Sequence, residues 1–203
     1  MTPFETPARY RTTDAENALL TIDERLLKFS TKWGGSSGAL LIGPTRCGKS
    51  LSAAAAMRRL TLDKPRYWAT WVRSDTVTSI GQNRKDREAD LCRIKSAYIL
   101  TLDELGYERW PELVLEIIGE RYDRDLPTVV TSGLKIDELR ARYGDATVRK
   151  IIEIGNGLVI DCWSNSKTEL SFAPIPELIQ RNQMGCAWDG MDTIDVSNDP
   201  RFA

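Results

Sequence analysis

An α/β fold, a parallel sheet with helices on both faces, is predicted by three stretches of this 203-residue sequence. The first runs from apolar Ala39-Leu40-Leu41-Ile42 through a glycine-bounded turn into strong helix formers, Leu51 to Leu60. Strand, tight loop and helix in that order open a βαβ unit. The second is Tyr98 to Glu104, a nearly continuous apolar run that reads as a strand buried on both faces. The third, Pro127-Thr128-Val129-Val130-Thr131-Ser132, is β-branched and again ends in polar residues. Both later strands end polar at the same edge, and α/β sheets bind ligands at the carboxyl ends of their strands.

Composition narrows the chemistry. The chain is 41% hydrophobic and 28% charged, which is globular, and its length suits one domain with a core of its own. A net charge of −1 gives no overall basic field, so any nucleic-acid contact must come from a local patch. There is no histidine. Histidine bases, Ser/His/Asp triads and histidine-ligated metals are excluded. The four cysteines form no C-x-x-C pair and read as reduced thiols. With no signal-peptide core and no run of about 20 apolar residues, the expectation is a soluble, cytoplasmic protein.

The turn after the first strand is Gly43-Pro44-Thr45-Arg46-Cys47-Gly48-Lys49-Ser50, which fits G-x-x-x-x-G-K-[ST], the phosphate-binding P-loop. Consecutive backbone N–H groups there make an anion-binding nest at a helix N-terminus, extended into Leu51. Gly43 and Gly48 permit the close approach that a side chain would block. Lys49 is expected to reach the β/γ-phosphates, and the Ser50 hydroxyl to ligate Mg²⁺. ATP with Mg²⁺ is the implied ligand.

From the N-terminus, residues 1–37 read as an arm and a helix. The arm contains Arg9-Tyr10-Arg11; Tyr10 either stacks on the nucleotide base or belongs to a solvated tail. Thr13 or Asp14 caps a helix running to about Trp33. Residues 38–175 form the core and 176–203 a tail with one short helix. The P-loop helix ends near Asp63-Lys64-Pro65, and a second, aromatic strand spans Arg66 to Val72. Ser74 to Ser96 is partly helical, with basic Arg84, Lys85, Arg87, Arg93 and Lys95 interleaved with acids. Its charges either compensate one another on a solvated face or meet a DNA backbone.

Asp103 and Glu104 end the third strand. Asp103 is expected in the Mg²⁺ shell and Glu104 beside the attacking water, a Walker B arrangement. Pro111 starts a helix burying Leu113, Val114, Ile117 and Ile118, with Glu120 to Asp125 turned to water. At the end of the next strand Thr131 or Ser132 is placed to sense the γ-phosphate. Ile136 to Tyr143 and Ala146 to Ile154 are helices broken at Gly144. They carry Arg140, Arg142 and Arg149, and an arginine here can serve the γ-phosphate of a neighbouring subunit. Gly157 to Trp163 reads as the last strand.

The ordered set of P-loop, aromatic strand, Leu102-Asp103-Glu104-Leu105-Gly106, Pro127 to Gly133, Glu138 to Gly144 and Gly155 to Asp161 resembles the AAA+ ATPases of the DnaC/IstB group, helicase loaders and transposition ATPases. The resemblance covers roughly Arg9 to Trp163. It implies a five-stranded parallel sheet in the order 5-1-4-3-2, ATP-dependent assembly into a homo-oligomer, and DNA, single-stranded above all, threading the assembly. It implies catalytic roles for Lys49, Asp103, Glu104 and Ser132, and by position Arg149 is similar to the finger arginine.

Four departures stand out. Arg46-Cys47 replaces the usual Gly-Thr, and the bulky Arg46 is closer to the TnsC/TniB-type transposition ATPases. Gly133 replaces a sensor asparagine, leaving Ser132 in its stead. The Gly144–Arg149 spacing is short, and little precedes the core that would grip a partner. Helicase loading leads as the function. An IstB/TnsC-like target-selection ATPase, with a transposase as partner, and a low-turnover nucleotide-gated switch are the alternatives.

Overall fold

The computed structural model describes Tyr10 and residues 22–63, 69–82 and 87–164. In chain order the elements are α1 (Glu24–Lys32), β1 (Ala39–Ile42), α2 (Lys49–Asp63), β2 (Ala69–Arg73), α3 (Ser74–Gln82), α4 (Arg87–Ser96), β3 (Ile99–Leu105), α5 (Pro111–Asp123), β4 (Thr128–Ser132), α6 (Ile136–Tyr143), α7 (Asp145–Ile154) and β5 (Val159–Asp161). The strands form one sheet ordered β2-β3-β4-β1-β5, with every neighbouring pair parallel. This is the expected order read from the other edge.

Side chains alternate across a strand, so β1 serves two cores. Ala39 and Leu41 join Leu26, Phe29, Ala53 and Met57 of α1 and α2 in one apolar layer. Leu40 and Ile42 join Val77, Ile94, Val114 and Ile151 on the opposite face. Each of the larger side chains, fully buried, contributes about 1.5–3 kcal/mol. Gly38, just before β1, leaves no space for more: a Cβ there would lie 2.2 Å from the Thr128 carbonyl oxygen.

The chain leaves β1 through α2 toward one edge of the sheet, and reaches β5 from β4 by crossing to the other side. β1 is therefore the topological switch point, where a crevice opens at the strands' carboxyl ends.

Two expectations need correction. The N-terminal helix does not run unbroken to Trp33. Ile22 and Asp23 are non-helical, and Asp23 caps α1, its carboxylate accepting from the Arg25 N–H at 2.9 Å. Apart from Tyr10 the arm lies outside the described residues, as do residues 165–203, where a short tail helix is expected. The stretch from Glu120 to Asp125, across the end of α5, is not all turned to water, because Arg121 is fully buried. It donates to Thr128 Oγ1 at 2.8 Å and to the carbonyls of Ala97 at 2.7 Å, Pro127 at 2.8 Å and Lys95 at 3.0 Å. Burial, with Arg124 nearby, pushes its guanidinium down to about 9. These acceptors replace the water a buried cation gives up.

In the Ser74–Ser96 segment, Lys95 sits between Glu116 at 2.7 Å and Glu120 at 2.8 Å, and Arg93 lies 3.6 Å from Asp90. Compensated charge is what these two show; Arg84 and Lys85 lie outside the described residues. Among the described residues no helix is long and apolar enough to cross a membrane.

Candidate phosphate-binding site

The loop from Gly43 to Gly48 joins the end of β1 to the first turn of α2. Gly43 is close-packed: a Cβ there would lie 2.5 Å from Cys162 Cβ and 3.1 Å from Cys47 Sγ. Gly48 has φ +100°, a region a side chain strains. Arg46 has φ 68° without being glycine, and such left-handed residues cost on the order of 1–3 kcal/mol and gather at functional sites. Lys49, only 8% exposed, donates Nζ to the carbonyls of Gly43 at 2.9 Å and Pro44 at 2.8 Å. Its ammonium is thus held against the loop backbone by two carbonyls.

Beneath the loop, Ser50 Oγ donates to Asp103 Oδ1 at 2.5 Å. The same oxygen accepts from Thr131 Oγ1 at 2.7 Å, and Asp103 is fully buried. A bulge aims this carboxylate. The β3–β4 register shifts between Leu102 and Leu105, while β3 stays paired to β2 through Arg73 and Asp103. Bulges recur beside active sites because they re-aim side chains.

Glu104 occupies the bulge with φ 60°. Its N–H donates to Thr131 Oγ1 at 3.0 Å, and its carbonyl accepts from Ser74 Oγ at 2.5 Å. Two hydroxyls therefore clamp the strained peptide from both sides. The Glu104 carboxylate turns toward the cleft, 3.4 Å from Arg73 Nη2, which also pairs with Asp75 at 2.8 Å. Both ends are exposed, so the pair is worth about 0–1 kcal/mol.

Lys49, Ser50, Arg73, Ser74, Glu104 and Thr131 line a cleft of about 680 Å³, shared with Tyr10, Thr45, Arg46, Leu51, Tyr107 and Gly133, with Asp103 behind Ser50 and Thr131. That is ample for a nucleotide. The Tyr10 ring lies 6.0 Å from that of Trp71, tilted 53°. Ser132 lines the wall, but its hydroxyl is engaged: it donates to the Leu105 carbonyl at 2.6 Å and accepts from the Leu134 N–H at 3.0 Å. Arg149 stands apart on α7, its side chain 66% exposed and 3.7 Å from Glu153. The fold thus gathers Gly43 to Leu51, Asp103, Glu104, Ser132 and Tyr10, and leaves Arg149 outside.

The thiols of Cys47 and Cys162 meet beside the loop. A hydrogen bond from Cys162, opposed by burial and helped by the Lys49 charge, lowers the Cys47 thiol to about 6; its thiolate pushes Cys162 up.

Sequence reasoning missed the loop that follows β3. Glu108, whose side chain is fully buried, accepts from Arg142 Nη2 at 2.8 Å and from the Tyr143 hydroxyl, and its other oxygen accepts the Gly106 N–H at 3.0 Å. No spacing rule links residues so far apart. Arg73 and Ser74 were missed as well; the signal that could have found them is position, since Arg73 ends β2 and Ser74 opens α3 beside the acidic end of β3.

A divalent cation fits the donors. Among the described residues no three carboxylate, thiol or imidazole groups converge. A hard carboxylate beside a hydroxyl suits Mg²⁺, which takes its other ligands from phosphate and water.

No protein-family model matches the chain, and no curated protein does. Solved structures do. The chain is similar to DnaI, with 20% identity and a TM-score of 0.60 over 76% of this chain and 90% of that one. It is similar to the DnaC helicase loader, with 21% identity and a TM-score of 0.54 over 76% and 95%. It also resembles AMPPCP-bound DnaA from Aquifex aeolicus, with 18% identity and a TM-score of 0.51 over 68% of this chain and 44% of that one. The chain shares the α/β fold of these proteins over the covered residues.

Proposed function

We propose that the chain binds and hydrolyses ATP in this cleft, and that its ATP-bound form assembles side by side on DNA and delivers a protein partner to it, a replicative helicase first of all. The observation that carries the ATPase reading is the Ser50–Asp103–Thr131 cluster directly beneath the P-loop, next to the clamped Glu104. The loop amides and Lys49 bind the β- and γ-phosphates. Ser50 and Asp103 hold Mg²⁺, which supplies charge neutralisation at the phosphates. Glu104 orients the attacking water and takes its proton. Arg149, exposed on α7, serves the γ-phosphate of an adjacent copy, where a finger arginine stabilises transition-state charge.

Likeness to the DnaC helicase loader supports the loading task, and likeness to replication initiator DnaA bound to AMPPCP and single-stranded DNA supports DNA as the platform. The test mixes purified chain, ATP, a replicative helicase and circular single-stranded DNA, and counts helicase on the circles. Helicase deposited only with ATP and chain together supports loading. No deposition, together with ATP-dependent filaments on duplex DNA, supports the target-selection reading that the exposed Arg46 favours. Binding without phosphate release identifies a nucleotide-gated switch.

A further inference from the structure

We propose that the phenol of Tyr107 is a hydrogen-bond donor to the terminal phosphate, supplying from the loop after β3 what the end of β4 does not offer; this rests on the ATP-binding reading above. The first support is elimination. At the β4 end, the Thr131 hydroxyl donates to Asp103 and accepts from the Glu104 N–H, the Ser132 hydroxyl is taken up by Leu105 and Leu134, and Gly133 has no side chain. No hydroxyl on that wall is left to meet an anion.

The second support is position. The Tyr107 hydroxyl oxygen lies 3.3 Å from where a Gly133 Cβ would be, and Tyr107 lines the same cleft as Lys49, Ser50 and Glu104. The space above Gly133 is thus taken by a polar atom delivered from elsewhere in the chain.

The third is the mount. Gly106 has φ +115°, and a Cβ there would lie 2.7 Å from Leu134 Cδ1, so only glycine turns the chain this closely. On the other side Glu108 is buried under Arg142 and Tyr143. Between two fixed neighbours Tyr107 is 66% exposed. A rigid mount that presents an aromatic hydroxyl to a cleft is the support a binding group needs. A neutral phenol donating to a phosphate oxygen favours the triphosphate over the diphosphate, because only the former places charge there.

The experiment compares wild type, Tyr107→Phe and Lys49→Ala by calorimetry with AMPPCP plus magnesium and with ADP. Removing one oxygen leaves ring packing intact, so folding is preserved. The expected result is a Tyr107→Phe protein that holds ADP within twofold of wild type and loses about tenfold in AMPPCP affinity, the size of a hydrogen bond to a charged group. An AMPPCP-to-ADP ratio within threefold of wild type overturns the proposal, whether the two affinities stay put or fall together. If wild type and Lys49→Ala alike bind neither ligand, the ATP-binding reading fails and takes this proposal with it. Wild-type binding abolished by Lys49→Ala, with an unchanged ratio in Tyr107→Phe, sinks the proposal alone.

Discussion

The hydroxyl of Ser50, in the first turn of α2, lies 2.5 Å from the Asp103 carboxylate at the end of β3. This single bond ties the phosphate loop to the neighbouring acidic strand end, and it brings together the two oxygens best suited to a hard cation. Asp103→Ala removes the carboxylate both from that pair and from Thr131. Phosphate release is expected to fall at least 100-fold, about the scale of losing one fixed electrostatic group. A colorimetric phosphate assay across a magnesium titration checks this; turnover within tenfold of wild type rejects the assignment of Asp103.

Glu104→Gln keeps the shape and the backbone clamp but cannot accept a proton. Turnover should drop about 10²–10⁴-fold, with ATP affinity within a few-fold of wild type. Parallel turnover and binding measurements decide it. Equal losses in both would mean that Glu104 serves binding.

Cys47 offers a pH handle. With its thiol lowered to about 6, the thiolate is the minor form at pH 5 and the major form at pH 7. Thiolate is the nucleophile, so the rate of alkylation by iodoacetamide at Cys47 should rise through a midpoint near pH 6. ATP with magnesium should protect it. Mass spectrometry of the Cys47 peptide reads the rate, and a midpoint near 8 or above contradicts the Cys162 hydrogen bond as its cause.

Arg121 is a stability prediction. Arg121→Ala leaves the carbonyls of Ala97, Lys95 and Pro127 without this donor in the interior. A loss of about 3–5 kcal/mol is expected in urea unfolding. A change under 1 kcal/mol would show that water replaces the guanidinium.

Much of this arrangement was legible because it is local in sequence. The strand, P-loop and α2 follow one another without a break, and the acidic end of β3 announces its edge by composition alone. What escaped depends on distant partners. Arg121 looks like one more charge on a solvated helix end until the carbonyls beyond α4 close around it. Asp23 caps α1 inside an apolar pattern that reads as continuous. Glu104's left-handed backbone has no signature in the letters Asp-Glu; it follows from the bulge and from hydroxyls on two other strand ends. Gly133 reads as a missing polar group until the fold lays Tyr107 over it.

Arg149 is tested in mixtures. Arg149→Ala subunits titrated into wild type should depress turnover more than in proportion to their share, because each spoils a neighbour's site. Turnover strictly proportional to wild-type content removes the arginine from that role.

The central claim, a triphosphate held by the Gly43–Ser50 loop around Lys49, is tested most directly by titrating ATP with magnesium into the protein in a calorimeter. The expected result is saturable binding with one nucleotide per chain, lost or weakened at least tenfold in Lys49→Ala. No measurable association with wild type, or an unchanged isotherm in Lys49→Ala, contradicts it.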